Sequence, residues 1–155
     1  MDAFVAGTLD ESYVPAAFFI HFPGKDSKVG EGAVKSHLYY LLQTNADVLK
    51  VQFEQRVAKI KELDKQETWD SIAPLPEDYY RPTFEVVKEL YNNVGKDVYI
   101  LPTVYSPYQV ARQSLGDEVI AKAAVERPAD LKRVLGFYAD ALEWFVKSCK
   151  EIGVE

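Results

Sequence analysis

The 155-residue chain has a single cysteine, Cys149, and only two histidines, His21 and His37. One thiol excludes an internal disulfide and a cysteine-rich zinc site, and it suits a reducing cytoplasm. Positive charge is also scarce, with 18 Lys and Arg against 24 Asp and Glu and a formal net charge of −6. General binding to a phosphate backbone needs clustered cations, so no nucleic-acid partner is expected. No apolar run reaches the roughly 20 residues of a membrane span. The opening stretch MDAFVAGTLDESY carries acids where a secretory signal needs bases, so no membrane partner or export is expected either.

What the chain does have is apolar and aromatic content, 48% and 13%, enough for one globular domain with a substantial core. The run VPAAFFIH (14–21) is short, aromatic and bounded by turn signals, as a strand buried on both faces would be. A polar, glycine-containing loop comes next, and then Val34, Leu38, Leu41 and Leu42 recur at helical spacing through Thr44. DVLKVQF (47–53) predicts a second strand. The charged, weakly amphipathic stretch 55–67 leads into WDSIAPLPEDYYRP (69–82), whose three prolines predict a long loop.

Pro82 opens a helix with Val86, Val87, Leu90 and Val94 on its apolar face and Gly95 as its stop. VYILPTV (98–104) predicts a third strand. Ser106 and Pro107 are a cap and a first-turn proline for a helix through Leu115, and Gly116-Asp117 restarts a helix to about Glu126. Pro128 then opens the longest helix, with Leu131, Val134, Leu135, Tyr138, Leu142, Phe145, Val146, Cys149 and Ile152 as its stripe and Gly153 as its stop. The order β-α-β-α-β-α-α-α predicts an α/β fold with three neighbouring parallel strands, because parallel neighbours need a crossover.

Three blocks, VPAAFFIHFPG (14–24), NADVLKVQFE (45–54) and the segment 99–155 beginning YILPTVYSPYQVARQSLG, together resemble the uroporphyrinogen decarboxylase superfamily. That superfamily also contains corrinoid and coenzyme M methyltransferases. The resemblance implies a (β/α)8 TIM barrel, a fold of about 250 residues. On that basis the chain is expected to be its N-terminal portion, about three βα units with the C-terminal half missing. Where the decarboxylases carry an Arg-Gln-Ala-Gly-Arg element, whose arginines clamp substrate carboxylates, this chain has Ile20-His21-Phe22-Pro23-Gly24. Their Phe-Ser-Asp element aligns with Gln52-Phe53-Glu54, which keeps a carboxylate at Glu54. The HFPG and DVLKV patterns resemble the methyltransferase-leaning branch, whose members bind zinc through residues of the second half of the barrel.

Strand carboxyl ends are where barrels carry their sites, so His21 and Glu54 are the candidate catalytic pair. The plainer alternatives are a hydrogen-bonded structural histidine and a solvated loop carboxylate. Tyr105 and Ser106, at the end of the third strand, and Tyr80, beside Tyr79 and Arg81, are candidate substrate-binding residues. Ser106 also suits a helix cap, and the tyrosine pair also suits local packing. His37, in a predicted outer helix, Lys50, inside a strand, and Cys149, on an apolar helix face, are expected to be structural.

The resemblance implies two activities. The first is decarboxylation of a tetrapyrrole carboxylate, as in porphyrin biosynthesis, with no cofactor. The alternative is zinc-dependent methyl transfer from a corrinoid. The partner is in either case a small molecule. A third possibility is an inactive half barrel, with inner strand faces and open edges uncovered. Such a chain is expected to self-associate as a homo-oligomer. Light scattering on the purified chain reads this directly, and a monomer that unfolds cooperatively counts against the half barrel.

Overall fold

A computed structural model describes residue 17 and residues 20–154. A 3-10 turn at Asp26–Lys28 precedes helix α1 (Gly30–Thr44), strand β1 (Val48–Val51), helices α2 (Gln66–Ser71) and α3 (Arg81–Val94), and strand β2 (Tyr99–Pro102). Helices α4 (Pro107–Leu115), α5 (Asp117–Glu126) and α6 (Pro128–Glu151) complete the order. Two compact units share these elements. The first takes the described residues up to Glu54 with Pro82–Thr103 and the chain from Cys149; the second takes Gln55–Arg81 and Val104–Ser148.

Local chemistry accounts for most boundaries. Helix α1 ends where Asn45 adopts the left-handed conformation, φ 48°, and its N–H donates to the Leu41 carbonyl at 2.8 Å. Helix α4 starts at Ser106, whose Oγ accepts from the Gln109 N–H at 3.2 Å, with Pro107 in the first turn. Gly116 (φ 96°) separates α4 from α5, and Gly153 (φ 93°) lies just past α6, conformations that side chains other than glycine adopt poorly.

In the first unit β1 and β2 pair in parallel, Val48 opposite Tyr99 and Val51 opposite Pro102. The expectation of parallel α/β structure holds for these two strands. Each is shorter than expected, and one more hydrogen bond, from the Thr103 N–H to the Val51 carbonyl at 2.8 Å, continues the ladder past Pro102. The expected first strand over 14–21 lies outside the described residues except at Ala17, Ile20 and His21, which stand outside regular secondary structure. Leu49, Val51 and Ile100 are buried on one face of the pair. Lys50, on the opposite face, is half-buried, and its ladder partner Leu101 is 39% exposed.

In the second unit the expected long loop at 69–82 begins instead as the end of α2. Trp69 is buried and its Nε1–H donates to the Leu63 carbonyl at 2.9 Å. The Arg133 guanidinium, on α6, donates to the carbonyls of Trp69 (2.7 Å) and Ile72 (3.1 Å). The Trp69 carbonyl also accepts the capping Ile72 N–H at 3.2 Å, and the Arg133 cation at this helix C-terminus interacts favourably with its dipole. Along α6 the expected stripe is buried at Leu131, Val134, Tyr138, Leu142, Phe145 and Cys149. Val146 departs from it at 47% exposed, because its neighbour Phe145 already occupies the buried direction.

The two faces of the β pair differ enough to test. Leu49→Ala, at a fully buried position, is expected to cost about 2–5 kcal/mol, and Leu101→Ala well under half of that. Urea unfolding midpoints measure both.

Candidate functional site

The described residues place one compact group of polar side chains at the carboxyl end of β1, within the first unit. Glu54 lies a few residues past β1, and its carboxylate is almost enclosed, with 10% of the side chain exposed. His21 Nδ1 lies 2.8 Å from Glu54 Oε1, and Lys28 Nζ lies 3.5 Å from Oε2. The two expected catalytic residues therefore meet directly, although they are far apart in sequence.

Each partner is delivered by a different device. Lys28 ends the 3-10 turn, which packs closely on the first turn of α1 at Gly32. A Cβ added there would sit 1.9 Å from the Asp26 carbonyl oxygen, so the turn can approach α1 this closely only over a glycine. Phe22, next to His21, sets its ring edge-on to His37 (centroids 4.9 Å apart) and to Tyr40 (6.5 Å), tying that segment to α1.

His37 is 3% exposed and is a structural group of the first unit. Its Nδ1–H donates to the Ala33 carbonyl at 2.7 Å, and its Nε2 accepts from the Gln52 backbone N–H at 3.4 Å. One nitrogen donating and the other accepting describes a neutral imidazole.

Electrostatics treats the two buried groups oppositely. Burial pushes the Glu54 carboxyl up, but the hydrogen bond from His21 and the charges of Lys28 and His21 outweigh it and hold the group below its ordinary value. For His37 burial prevails and pulls the ring below its ordinary value, against the Ala33 carbonyl and the Glu54 charge, which both favour the cation.

The pair is suited to proton transfer. A carboxylate that accepts from Nδ1–H fixes the tautomer and the orientation of the imidazole. Among the described residues no group of three or more His, Cys, Asp or Glu side chains is placed to hold a metal ion.

The expected substrate-binding residues all belong to the second unit. Tyr80 is fully buried, its ring edge-on to Tyr79 (5.1 Å) and Phe145 (6.4 Å), with its hydroxyl pushed up by burial and by Tyr79 and Tyr138. It is a packed interior side chain. Tyr105, in the chain segment just before α4, is half-buried, and Ser106 is the α4 cap. Cys149 is buried as expected, and burial pushes its thiol up to about 11. Sequence reasoning missed Lys28, whose only signal was its place in a charged loop, and Gln52, which lay inside the aligned Gln52-Phe53-Glu54 triplet.

His37 yields a pH prediction with a definite sign. Its folded value lies below the ordinary 6.5, so the unfolded chain binds this proton first as pH falls. The contribution of the neutral ring is complete above about pH 6.5 and is lost as pH drops from there toward the depressed folded value. Urea midpoints measured between neutral and mildly acidic pH are expected to fall in the native chain and to fall less in His37→Gln. Glu54 adds a second loss only at more acidic pH, as the solution passes from the ordinary carboxylate range down through its depressed folded value. Comparison of the chain with protein-family models, with curated proteins and with solved structures finds no match, so the function rests on the site itself.

Proposed function

We propose that the chain acts by proton transfer on a carboxylate-bearing small molecule, as a uroporphyrinogen decarboxylase-like protein, with His21 as the acid–base group and Glu54 as its partner. The observation that carries this is the 2.8 Å contact between His21 Nδ1 and Glu54 Oε1 at the carboxyl end of β1. When a carboxylate leaves as CO2, the electron pair of the broken C–C bond stays on carbon and must take a proton. A protonated imidazole held by a carboxylate supplies that proton from Nε2 and regains it from water. Glu54 orients the ring through Nδ1, and His21 and Lys28 together hold the Glu54 carboxyl below its ordinary value.

On this reading the parallel pair is part of a (β/α)8 barrel. Two adjacent parallel strands joined through helices fit one step of a (β/α)8 barrel, a fold whose sites lie at the carboxyl ends of strands. The resemblance of VPAAFFIHFPG and NADVLKVQFE to that superfamily supports it, since those blocks end at His21 to Gly24 and at Glu54.

CO2 release from a tetrapyrrole carboxylate tests the proposal. Turnover by the native chain is expected to drop more than about tenfold in His21→Ala, equivalent to about 1.4 kcal/mol, with little change in unfolding midpoint. Glu54→Gln, which keeps the shape and removes the charge, is expected to drop comparably. No turnover by the native chain, or full turnover by both variants, overturns it.

A further inference from the structure

Gln52 and Thr103 stand side by side just beyond the paired ends of β1 and β2. Val51 pairs with Pro102, and the Thr103 N–H extends the ladder by donating to the Val51 carbonyl at 2.8 Å. Gln52 is only 5% exposed. Its Oε1 and Nε2, and the Thr103 Oγ1, are buried and have no hydrogen-bond partner among the described residues. Buried polar groups in folded proteins are nearly always paired, so three orphaned atoms at adjacent ladder positions call for an explanation.

Nearby polar groups already have other partners. The Gln52 backbone N–H is given to His37 Nε2, His37 Nδ1–H to the Ala33 carbonyl, and the Glu54 carboxylate to His21 and Lys28. The carboxamide is therefore left at the carboxyl edge of a parallel pair, the edge where such sheets receive ligands.

We propose that Gln52 and Thr103 form a binding site for a neutral cis-amide edge, such as a lactam, an imide or a primary carboxamide. The Gln52 side chain offers one donor and one acceptor in a single plane. A ligand that satisfies both must present an acceptor and a donor at matching spacing, as a cis-amide does, and the Thr103 hydroxyl adds a contact to the ligand carbonyl. A carboxylate accepts from Nε2 and from the hydroxyl, but it turns negative charge toward Oε1 and brings no proton to it. An ammonium group serves Oε1 and leaves Nε2 orphaned. The site stands independently of the proton-transfer proposal, because it rests on atoms that proposal does not use.

Proton–nitrogen correlation spectra of the native chain, titrated with γ-butyrolactam and separately with acetate, test the site. The lactam is expected to shift the Gln52 side-chain amide signals saturably, and acetate to need at least about tenfold higher concentration. Gln52→Met removes both polar atoms at similar volume; it is expected to abolish binding and to raise the urea midpoint, because an orphaned polar group gives way to an apolar one. Thr103→Val is expected to weaken lactam binding several-fold. The site is overturned by an absent lactam response in the native chain, by an unchanged one in Gln52→Met, or by tighter binding of acetate. A lowered midpoint in Gln52→Met also overturns it, because the carboxamide would then be paired within the fold.

Discussion

Parallel pairing of β1 with β2 is the constraint on which the polar edge depends. Two parallel strands have their carboxyl ends at the same edge, so the residues just past β1 and those just past β2 become neighbours there. Gln52 and Thr103 meet for this reason, and Glu54 lies just beyond them. An antiparallel pair would send them to opposite ends. The ladder is only four residues long on each side, so its hydrogen bonds hold it less than the burial of Leu49, Val51 and Ile100 does.

Around that edge, one physical rule gives two opposite charge states. Burial disfavours charge wherever no compensating group is near. Glu54 has His21 and Lys28 within hydrogen-bond reach and stays ionised despite its enclosure. His37 has a backbone carbonyl and a backbone N–H as its direct partners and stays neutral. The result is a fixed negative group beside a surface histidine, with a neutral imidazole supporting the backbone beneath them. That arrangement gives His21 a defined orientation with 47% of its side chain exposed.

The second unit is held by aromatic packing and by a few hydrogen bonds between buried or half-buried groups. Trp69, Tyr80, Tyr138 and Phe145 are its largest fully buried side chains. Tyr138 shares a 2.9 Å hydrogen bond with Ser114, and Arg133 closes the end of α2. Exposed ion pairs such as Arg112 with Asp117 and Lys147 with Glu143 add little, since each is screened by solvent.

The sequence by itself determined the helices other than α2 and the existence of β1 and β2. Those depend on apolar spacing, on Ser106-Pro107 and Pro128 as starts, and on Gly95, Gly116 and Gly153 as stops, all of which act over a few residues. It also marked His21 and Glu54 as ends of apolar runs, because a polar residue closing such a run is visible without knowing its neighbours. Only the tertiary structure decided what those residues touch. The 2.8 Å contact of His21 with Glu54, the entry of Lys28, the burial of His37 and the formation of α2 under Arg133 all join residues distant along the chain. Periodicity and capping carry no information about such distant partners, since a side chain's burial and charge state are set by whatever the fold packs against it.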